Sequence, residues 1–231
     1  MKCYTIIPSG GSGKRAGTSV PKQYLQFNGK ELIAYTLEVF QRSELIDEII
    51  VAAGKDFFEL IEAIKEKYSF TKLTKIVEGG EERQHSVFNA LKTIRAEGDD
   101  LIIVHDAVRP FLSLDLLSRA IETAKNFGSV VAAIKAKDTL IKGSDSVLSY
   151  VDREEIFYVQ TPQIFRYKII SDAMKKAAEE NFIGTDESML VHRAGYQVNI
   201  VDGSTLNFKI TNQDDIKLLE LIIEHRVFQS L

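Results

Sequence analysis

The chain has 231 residues and a formal net charge of −4, and 45% of its residues are hydrophobic and 27% are charged. This length and composition are typical of one ordinary globular domain with a substantial core, and the acidic balance argues against a general nucleic-acid binder, which carries a basic excess. Any anionic ligand must therefore be bound by local clusters of basic side chains.

Short apolar runs alternate along the chain with segments of helical periodicity. The predicted strands are Tyr4–Ile7, Glu48–Ala53, Lys75–Val77, Leu101–Val104, Val130–Ile134 and Val198–Val201. The predicted helices are Glu31–Arg42, Phe57–Tyr68, Ser86–Arg95, Leu114–Phe127, Tyr167–Glu180 and Asp214–His225. This alternation predicts an α/β domain with a mostly parallel, twisted sheet.

One segment, residues 135–165, departs from the alternation. It has no helical stripe and contains two short extended runs, Val147–Val151 and Ile156–Val159, among polar residues. The pattern predicts a β-arm at about residues 136–160, which belongs to a single domain of residues 1–231.

The cysteine content and the N-terminal residues bear on the cellular compartment. Cys3 is the only cysteine, and no histidine or acid flanks it, which favours a buried structural thiol in a reducing compartment. Met1–Thr5 leads directly into a strand pattern without a signal-peptide region, and no apolar run approaches the roughly 18 residues of a membrane span. The sequence therefore predicts a cytoplasmic protein without a membrane partner.

A loop rich in glycine and basic residues follows the first predicted strand. Residues 8–24, PSGGSGKRAGTSVPKQY, contain four glycines and the cations Lys14, Arg15 and Lys22. In a parallel sheet, the backbone N–H groups of such a loop form the usual phosphate cradle. Pro21 fixes the backbone next to Lys22, so this cation is presented in a defined direction.

Comparison with known phosphate-binding patterns narrows the set of ligands that this loop could bind. The P-loop pattern fails because arginine, not serine or threonine, follows the Gly-Lys pair. The dinucleotide pattern is matched by Gly11, Gly13 and Ala16, but a glycine and a proline interrupt the helix that it requires, and the second strand lacks a terminal acid. A plain turn does not need so many cations. The sequence favours a loop that wraps a nucleoside triphosphate, with Arg15 and Lys22 neutralising its phosphates.

A second polar cluster ends the apolar strand in LIIVHDAVRP, residues 101–110. A carboxylate at the carboxyl end of a central strand lies at the ligand crevice of an open sheet. Asp106 is therefore a candidate contact for Mg²⁺ and for the hydroxyls of an acceptor, and a turn or capping role is the alternative. Arg109 is expected to face an acceptor phosphate or to brace Asp106, and His105 to be packed or hydrogen-bonded.

Motifs along nearly the whole chain carry a family resemblance. They are Pro8–Arg15, Pro21–Leu25, Gly79–Val87, His105–Pro110, Asp138–Thr139, Val151–Arg153, Thr161–Gln163, Thr185–Glu187 and Asn207–Thr211. In this order they resemble the small cytidylyltransferases, above all the 2-C-methyl-D-erythritol 4-phosphate cytidylyltransferase family of the non-mevalonate isoprenoid pathway. Ser9-Gly10 departs from the two alanines usual in the family, which leaves a related polyol phosphate acceptor open.

The resemblance implies a Rossmann-like nucleotidyltransferase domain and a set of site residues. The residues implied to bind the nucleotide are Ser9, Gly10, Gly11, Gly13, Gly80, Glu81, Arg83, Ser86 and Ala107. The residues implied to bind the acceptor are Asp106, Arg109, Thr139, Arg153, Thr161, Thr185 and Lys209. The residues implied to be catalytic are Arg15, Lys22, Arg153 and Lys209.

Two further features follow from the resemblance. Mg²⁺ or another divalent cation is implied as cofactor, with Asp106 as its protein ligand. In the family the arm embraces a second subunit, so a homodimer is implied in which Thr139 and Arg153 reach the acceptor site of the partner. A local hairpin with an exposed arginine is the alternative.

The implied reaction transfers the cytidylyl group of CTP to 2-C-methyl-D-erythritol 4-phosphate and releases pyrophosphate. The attacking phosphate is already an anion, so catalysis needs positioning and charge neutralisation but no general base. A ribitol 5-phosphate cytidylyltransferase is an alternative, disfavoured by the motifs at 106–111 and 161–163. A non-catalytic nucleotide-binding regulator is a second alternative, disfavoured by the joint presence of Arg15, Lys22, Asp106 and Lys209.

Overall fold

The computed structural model describes residues 1–11 and 20–225. The strands within these ranges are β1 (Cys3–Pro8), β2 (Gln26–Phe27), β3 (Lys30–Glu31), β4 (Glu48–Ala53), β5 (Leu73–Glu78), β6 (Leu101–Val104), β7 (Ser129–Lys135), β8 (Leu140–Gly143), β9 (Val147–Val151), β10 (Phe157–Arg166) and β11 (Asn199–Asp202). The helices are α1 (Leu32–Arg42), α2 (Phe58–Lys67), α3 (Arg83–Thr93), α4 (Leu114–Phe127), α5 (Tyr167–Glu179), α6 (Glu187–Arg193) and α7 (Gln213–Glu224).

A seven-stranded sheet in the order β11-β7-β10-β6-β1-β4-β5 forms the centre of the molecule. β1 pairs in parallel with β4 and β6, and the pairs β4–β5 and β7–β11 are also parallel. Only β10 among these seven runs antiparallel to its neighbours, β6 and β7. The predicted α/β domain with a mostly parallel sheet is confirmed.

Both faces of the sheet are covered, which explains why its inner strands are continuous apolar runs. In β1 and β6, alternate residues belong to opposite layers: Cys3 and Ile103 pack with α1, α2 and α4, whereas Ile6 and Val104 pack with α3, α5 and α6. A third, smaller cluster includes Leu219 and holds α7 against the rest of the domain. The strand ends are therefore fixed between two packed helix layers.

The segment predicted as an arm is divided between two structures. β8 and β9 form a separate two-stranded hairpin that covers residues 140–151. The second predicted run, Ile156–Val159, instead enters β10, where Phe157 pairs with Lys135 in the main sheet. The β-hairpin thus begins and ends inside the predicted range, and the rest of that range belongs to the sheet or to its connections.

Two small elements have no counterpart among the predicted helices and strands. β2 and β3 form a hairpin whose turn residues, Asn28 and Gly29, have φ angles of 49° and 76°. The left-handed region suits this Asn-Gly pair, which is a strong hairpin signal. The short helix α6 begins after Asp186, whose carboxylate accepts the N–H of Met189 as an N-cap.

None of the helices within residues 1–11 and 20–225 combines the length and the apolar character that crossing a bilayer requires.

Candidate active site at the carboxyl edge of the sheet

A cavity of about 500 Å³ opens at the carboxyl ends of the parallel strands β1, β5 and β6. The residues that line it are Pro8, Ser9, Gly10, Gly11, Lys22, Gln23, Gly80, Glu81, Glu82, Arg83, Ser86, Asp106, Ala107, Val108 and Lys209. Three loops that follow parallel strands thus meet at one edge, which is where ligands bind in open α/β sheets.

The first wall is the start of the glycine loop, and Gln23 fixes its backbone. The side-chain amide of Gln23 donates to the carbonyl oxygens of Ser9 and Gly11, both at 2.9 Å. Ser9 Oγ donates to the Tyr24 hydroxyl at 3.0 Å, and the Tyr24 ring stacks on the Phe57 ring with their centroids 4.6 Å apart. Residues 9–11 are therefore held from both sides by the turn that also carries the pocket residue Lys22.

The second wall is the loop that joins β5 to α3. The N–H of Gly80 donates to Ser86 Oγ at 3.0 Å, and Ser86 Oγ donates to the carbonyl of Glu82 at 3.2 Å. A Cβ at Gly80 would lie 2.3 Å from the Cβ of His85, so only glycine allows this close approach. A Cβ at Gly10 would lie 3.4 Å from Ser86 Oγ, which shows how near the two walls are.

The floor of the cavity is a cluster of charges around Asp106. Arg83 Nε lies 3.1 Å from Asp106 Oδ1, whereas Arg109 Nε and Lys209 Nζ lie 3.3 and 3.0 Å from Oδ2. Burial alone would raise the pKa of Asp106, but Arg83, Lys209 and Arg109 outweigh it and hold this pKa well below its ordinary range. Asp106 is therefore an ionised carboxylate that organises three cations.

Arg83 is shared with a second buried carboxylate, Glu187 at the start of α6. Arg83 Nη1 lies 2.5 Å from Glu187 Oε2, and only 1% of the Glu187 side chain is exposed. Burial disfavours the charged guanidinium, but Glu187 and Asp106 outweigh this effect and raise the pKa of Arg83. Arg83 thus bridges two acids from different elements.

His105 fixes the backbone of the same loop from below. Its Nε2 lies 3.1 Å from the carbonyl oxygen of Arg109, and its Nδ1 lies 3.0 Å from Thr161 Oγ1. A carbonyl only accepts, so Nε2 carries the proton and Nδ1 accepts from the Thr161 hydroxyl, which itself accepts the N–H of Asp106 at 3.1 Å. Burial lowers the pKa of His105 to about 4, so the ring is neutral in this role.

The comparisons with known proteins point to one family. The sequence profile of the 2-C-methyl-D-erythritol 4-phosphate cytidylyltransferases matches residues 3–225. The chain belongs to this family. The cytidylyltransferase of that name from Geobacter metallireducens is 42% identical over 98% of this chain and 100% of its own length. The one from Syntrophus aciditrophicus is 42% identical over 96% of each chain.

Solved structures agree with this assignment. The 4-diphosphocytidyl-2C-methyl-D-erythritol synthase of Anaerococcus prevotii superposes with a TM-score of 0.84 at 32% identity, over 96% of both chains. The cytidylyltransferase of Thermus thermophilus superposes with a TM-score of 0.80 at 30% identity, over 97% of this chain and all of its own. The fold is therefore the one that these cytidylyltransferases have.

Most of the residues implied by the family resemblance converge on the cavity. Those that line it are Ser9, Gly10, Gly11, Lys22, Gly80, Glu81, Arg83, Ser86, Asp106, Ala107 and Lys209. Arg109 and Thr161 lie directly beneath it and are buried. Gly13 and Arg15 lie outside the described residues, so their predicted roles stay predictions.

Three predicted acceptor contacts lie away from the cavity of this chain. Thr139 is exposed before β8, and Arg153 follows β9, where its Nη1 donates to the carbonyl of Lys137 at 2.8 Å. Thr185 is exposed ahead of α6. Thr139 and Arg153 flank the β8–β9 hairpin, and the acceptor-binding roles of all three residues stay predictions.

The carboxylates of the cavity bear on the predicted divalent cation. Among the described residues, no group of three or more histidine, cysteine, aspartate or glutamate side chains could hold a metal ion. Mg²⁺ commonly uses only one or two carboxylates and takes its other ligands from phosphates and water. Asp106 could supply one such carboxylate, and both of its oxygens already contact cationic side chains of the chain itself.

Proposed function

We propose that the protein transfers the cytidylyl group of CTP to 2-C-methyl-D-erythritol 4-phosphate. An oxygen of the acceptor phosphate forms a bond to the α-phosphorus of CTP, the bond from that phosphorus to the bridging oxygen breaks, and pyrophosphate leaves with the electron pair. The observation that carries the proposal is the convergence of Lys22, Lys209 and Arg83 on a cavity between two glycine-rich loops, in a member of this family.

The cavity supports a mechanism without a general base. The acceptor phosphate is an anion, so no proton has to be removed before attack. His105, the histidine beneath the cavity, is neutral and has both ring nitrogens in internal hydrogen bonds, so it is a structural support. The remaining need is stabilisation of the negative charge that gathers at the α-phosphorus and on pyrophosphate, which preorganised cations supply.

The two walls are assigned to CTP and the floor to the acceptor. We assign the base and ribose of CTP to the backbone around Gly10, Gly80 and Glu81, and the triphosphate to Lys22 and Arg15. Asp106 is the carboxylate available to Mg²⁺, which supplies charge neutralisation on the triphosphate when bound. Lys209, which is 39% exposed, is the cation available to the acceptor phosphate.

We also propose a homodimer through the β8–β9 hairpin, which completes the acceptor site. The hairpin exposes Ile141, Leu148 and Tyr150, whose relative exposures are 53%, 79% and 73%. Apolar side chains concentrated on one projecting element are typical of a surface that is covered in an assembly. In that dimer, Thr139 and Arg153 would contact the acceptor bound to the other subunit.

Mixing two inactive variants of the chain tests whether the site is shared between subunits. Arg153→Ala and Lys22→Ala are each expected to be inactive as homodimers. In a mixed dimer, one site retains both residues, so equal amounts of the two variants should recover up to about a quarter of wild-type activity after random exchange. If the subunits demonstrably exchange and the mixture stays as inactive as the two separate variants, Arg153 acts within its own chain and the shared-site proposal is wrong.

Pyrophosphate release tests the reaction itself. CTP and Mg²⁺ are incubated with 2-C-methyl-D-erythritol 4-phosphate, with ribitol 5-phosphate, or without acceptor. We expect release only with the erythritol phosphate, and little with ATP or GTP in place of CTP. Faster release with ribitol phosphate would reassign the acceptor, and CTP binding without release under any condition would indicate a regulator.

We propose a cytoplasmic location for this reaction. The thiol of Cys3 is free and buried, and burial raises its pKa to about 11. Such a thiol is an inert structural residue, as expected in a reducing compartment.

A further inference from the structure

Glu187 is a buried acid in contact with the cavity floor, and the family resemblance assigns no role in the site to it. Its Oε2 pairs with Arg83 Nη1 at 2.5 Å, while its Oε1 is buried and accepts no hydrogen bond from the described residues. Arg83 is thus the cation on which this carboxylate depends. A buried carboxylate without its cation is strongly unfavourable, so the pair constrains both side chains.

The position of Glu187 is itself fixed by two buried glutamines. Gln163 of β10 donates to Asp186 Oδ2 at 3.1 Å and accepts the N–H of Ser188 at 2.9 Å, on either side of Glu187. Gln84 of α3 donates to the carbonyl of Phe182 and accepts the N–H of Gly184. The start of α6 is therefore attached to the central sheet and to the helix that carries Arg83.

Arg83 transmits this constraint to the cavity. Its Nε bonds Asp106 while its Nη1 bonds Glu187, so the guanidinium cannot turn without breaking one of two charge-assisted bonds. Asp106 also bonds Lys209, the more exposed of its cations. When Lys209 turns to a substrate phosphate, Arg83 and Arg109 remain to hold the Asp106 carboxylate.

We propose that Glu187 is a positioning residue for the transfer reaction: it fixes Arg83, and through Arg83 the Asp106 carboxylate, without touching either substrate. This inference rests on the proposed function. Removing Glu187 frees Arg83 to turn wholly to Asp106, which changes the direction of the carboxylate that the reaction uses and the positive charge next to it. We expect kcat/KM to fall by about tenfold to a hundredfold, which is the usual loss when a residue that hydrogen-bonds a functional side chain is replaced.

A double-mutant cycle separates this role from a general loss of stability. Glu187→Gln, Arg83→Gln and the double variant are compared with the wild type in kcat/KM for pyrophosphate release. If Glu187 acts through Arg83, the double variant has the same kcat/KM as Arg83→Gln alone. Glu180→Gln is the matched control, because it removes a carboxylate from an exposed ion pair with Arg193 at 2.9 Å; its kcat/KM should stay within about twofold of the wild type.

The outcomes of the cycle decide the proposal. Wild-type kcat/KM in Glu187→Gln, or losses that multiply in the double variant, would overturn it. If Glu187→Gln alone does not fold, the double variant can still be measured, because it has lost both Arg83 and Glu187 and so leaves neither of these two charges unpaired. A kcat/KM of the double variant well below that of Arg83→Gln would then overturn the proposal.

A spectroscopic measurement keeps the inference separate from the proposed reaction. In ¹⁵N-labelled protein, the Nη1–H signal of Arg83, which reports the bond to Glu187 and is assigned by its loss in Arg83→Gln, should be protected from exchange in the wild type and in Glu180→Gln. It should lose this protection in Glu187→Gln. Absence of pyrophosphate release from the wild type would refute the proposed function alone, whereas an unchanged Arg83 signal would refute the positioning role.

Discussion

His105 makes a pH-dependent contribution to stability that can be measured directly. Its ring is fully buried, and burial is the largest cause that lowers its pKa from 6.5 to about 4. In the unfolded chain the ordinary pKa applies. Between about pH 6.5 and 4, His105 is therefore protonated in the unfolded chain but remains neutral in the folded chain. The contribution is therefore complete above about pH 6.5 and is lost as the pH falls towards about 4.

The size of the effect follows from the two pKa values. A pKa difference of 1 between the folded and unfolded chain corresponds to about 1.4 kcal/mol. The contribution of His105 to the free energy of unfolding therefore amounts to about 3 kcal/mol. Asp106 does not obscure it, because its lowered pKa makes its own contribution decline only below its ordinary value of 3.8. The contribution of His105 to the free energy of unfolding should thus fall by about 2 to 3 kcal/mol between about pH 7 and 4.5, whereas Glu187, whose pKa is raised by burial, changes stability in the opposite direction.

Urea unfolding at a series of pH values tests this reasoning. His105→Gln keeps a donor for the Arg109 carbonyl but cannot gain a proton, so its free energy of unfolding should be lower at neutral pH and should lack the part of the wild-type slope that His105 contributes down to about pH 4.5. His192→Gln, which changes an exposed histidine, is the control and should retain the wild-type slope. A slope in His105→Gln equal to that of the wild type would refute the assignment.

Two further substitutions address the first wall of the cavity. Lys22→Ala removes a cation that stabilises the charged transition state, so kcat should fall by about a hundredfold or more in a pyrophosphate-release assay; a near-normal kcat would place Lys22 away from the reacting phosphate. Gln23→Glu turns a carboxylate towards the Ser9 and Gly11 carbonyls in place of the amide donor, so the KM for CTP should rise by about tenfold or more. An unchanged KM would show that the backbone at residues 9–11 does not contact the nucleotide.

The sequence predicted the parallel strands well because each is a local pattern with one structural solution. β1 and β6 are buried on both faces, and their apolar runs end where the structure ends them or within a residue. β10 was predicted only at its start. Its middle, Gln160–Pro162, is polar and contains a proline, which argues against a central strand. The structure places these residues at a register shift between Val159 and Gln163, where the ladder is interrupted and a proline is tolerated.

The cavity-facing residues of the site could be predicted, but the residues that hold them only in part: Arg109 was expected to brace Asp106 and does so, whereas the partner of Arg83 was not predicted. A glycine loop or a carboxylate after a strand has a local signature, so Gly10, Lys22 and Asp106 could be found by motif. The pair of Arg83 and Glu187 joins residues 104 positions apart, and such a contact exists only once α3 and α6 pack on one face of the sheet. In the sequence, Glu187 is only the last residue of the motif Thr185–Glu187, which by itself predicts no contact with Arg83.

The charges at the cavity floor explain how an acidic protein can bind two anionic substrates. Asp106 holds three cations, but they differ in freedom: 39% of the Lys209 side chain is exposed, against 10% for Arg109. Arg109 also donates to the carbonyl of Asn207 at 2.8 Å, and Arg83 is held by Glu187, so both stay in place when an anion arrives. Lys209 can exchange Asp106 for a phosphate because its own side chain is partly exposed and the buried Asp106 keeps its ion pairs with both arginines. The carboxylate thus keeps a cation ready for the substrate, and two fixed arginines keep that carboxylate from being left unpaired.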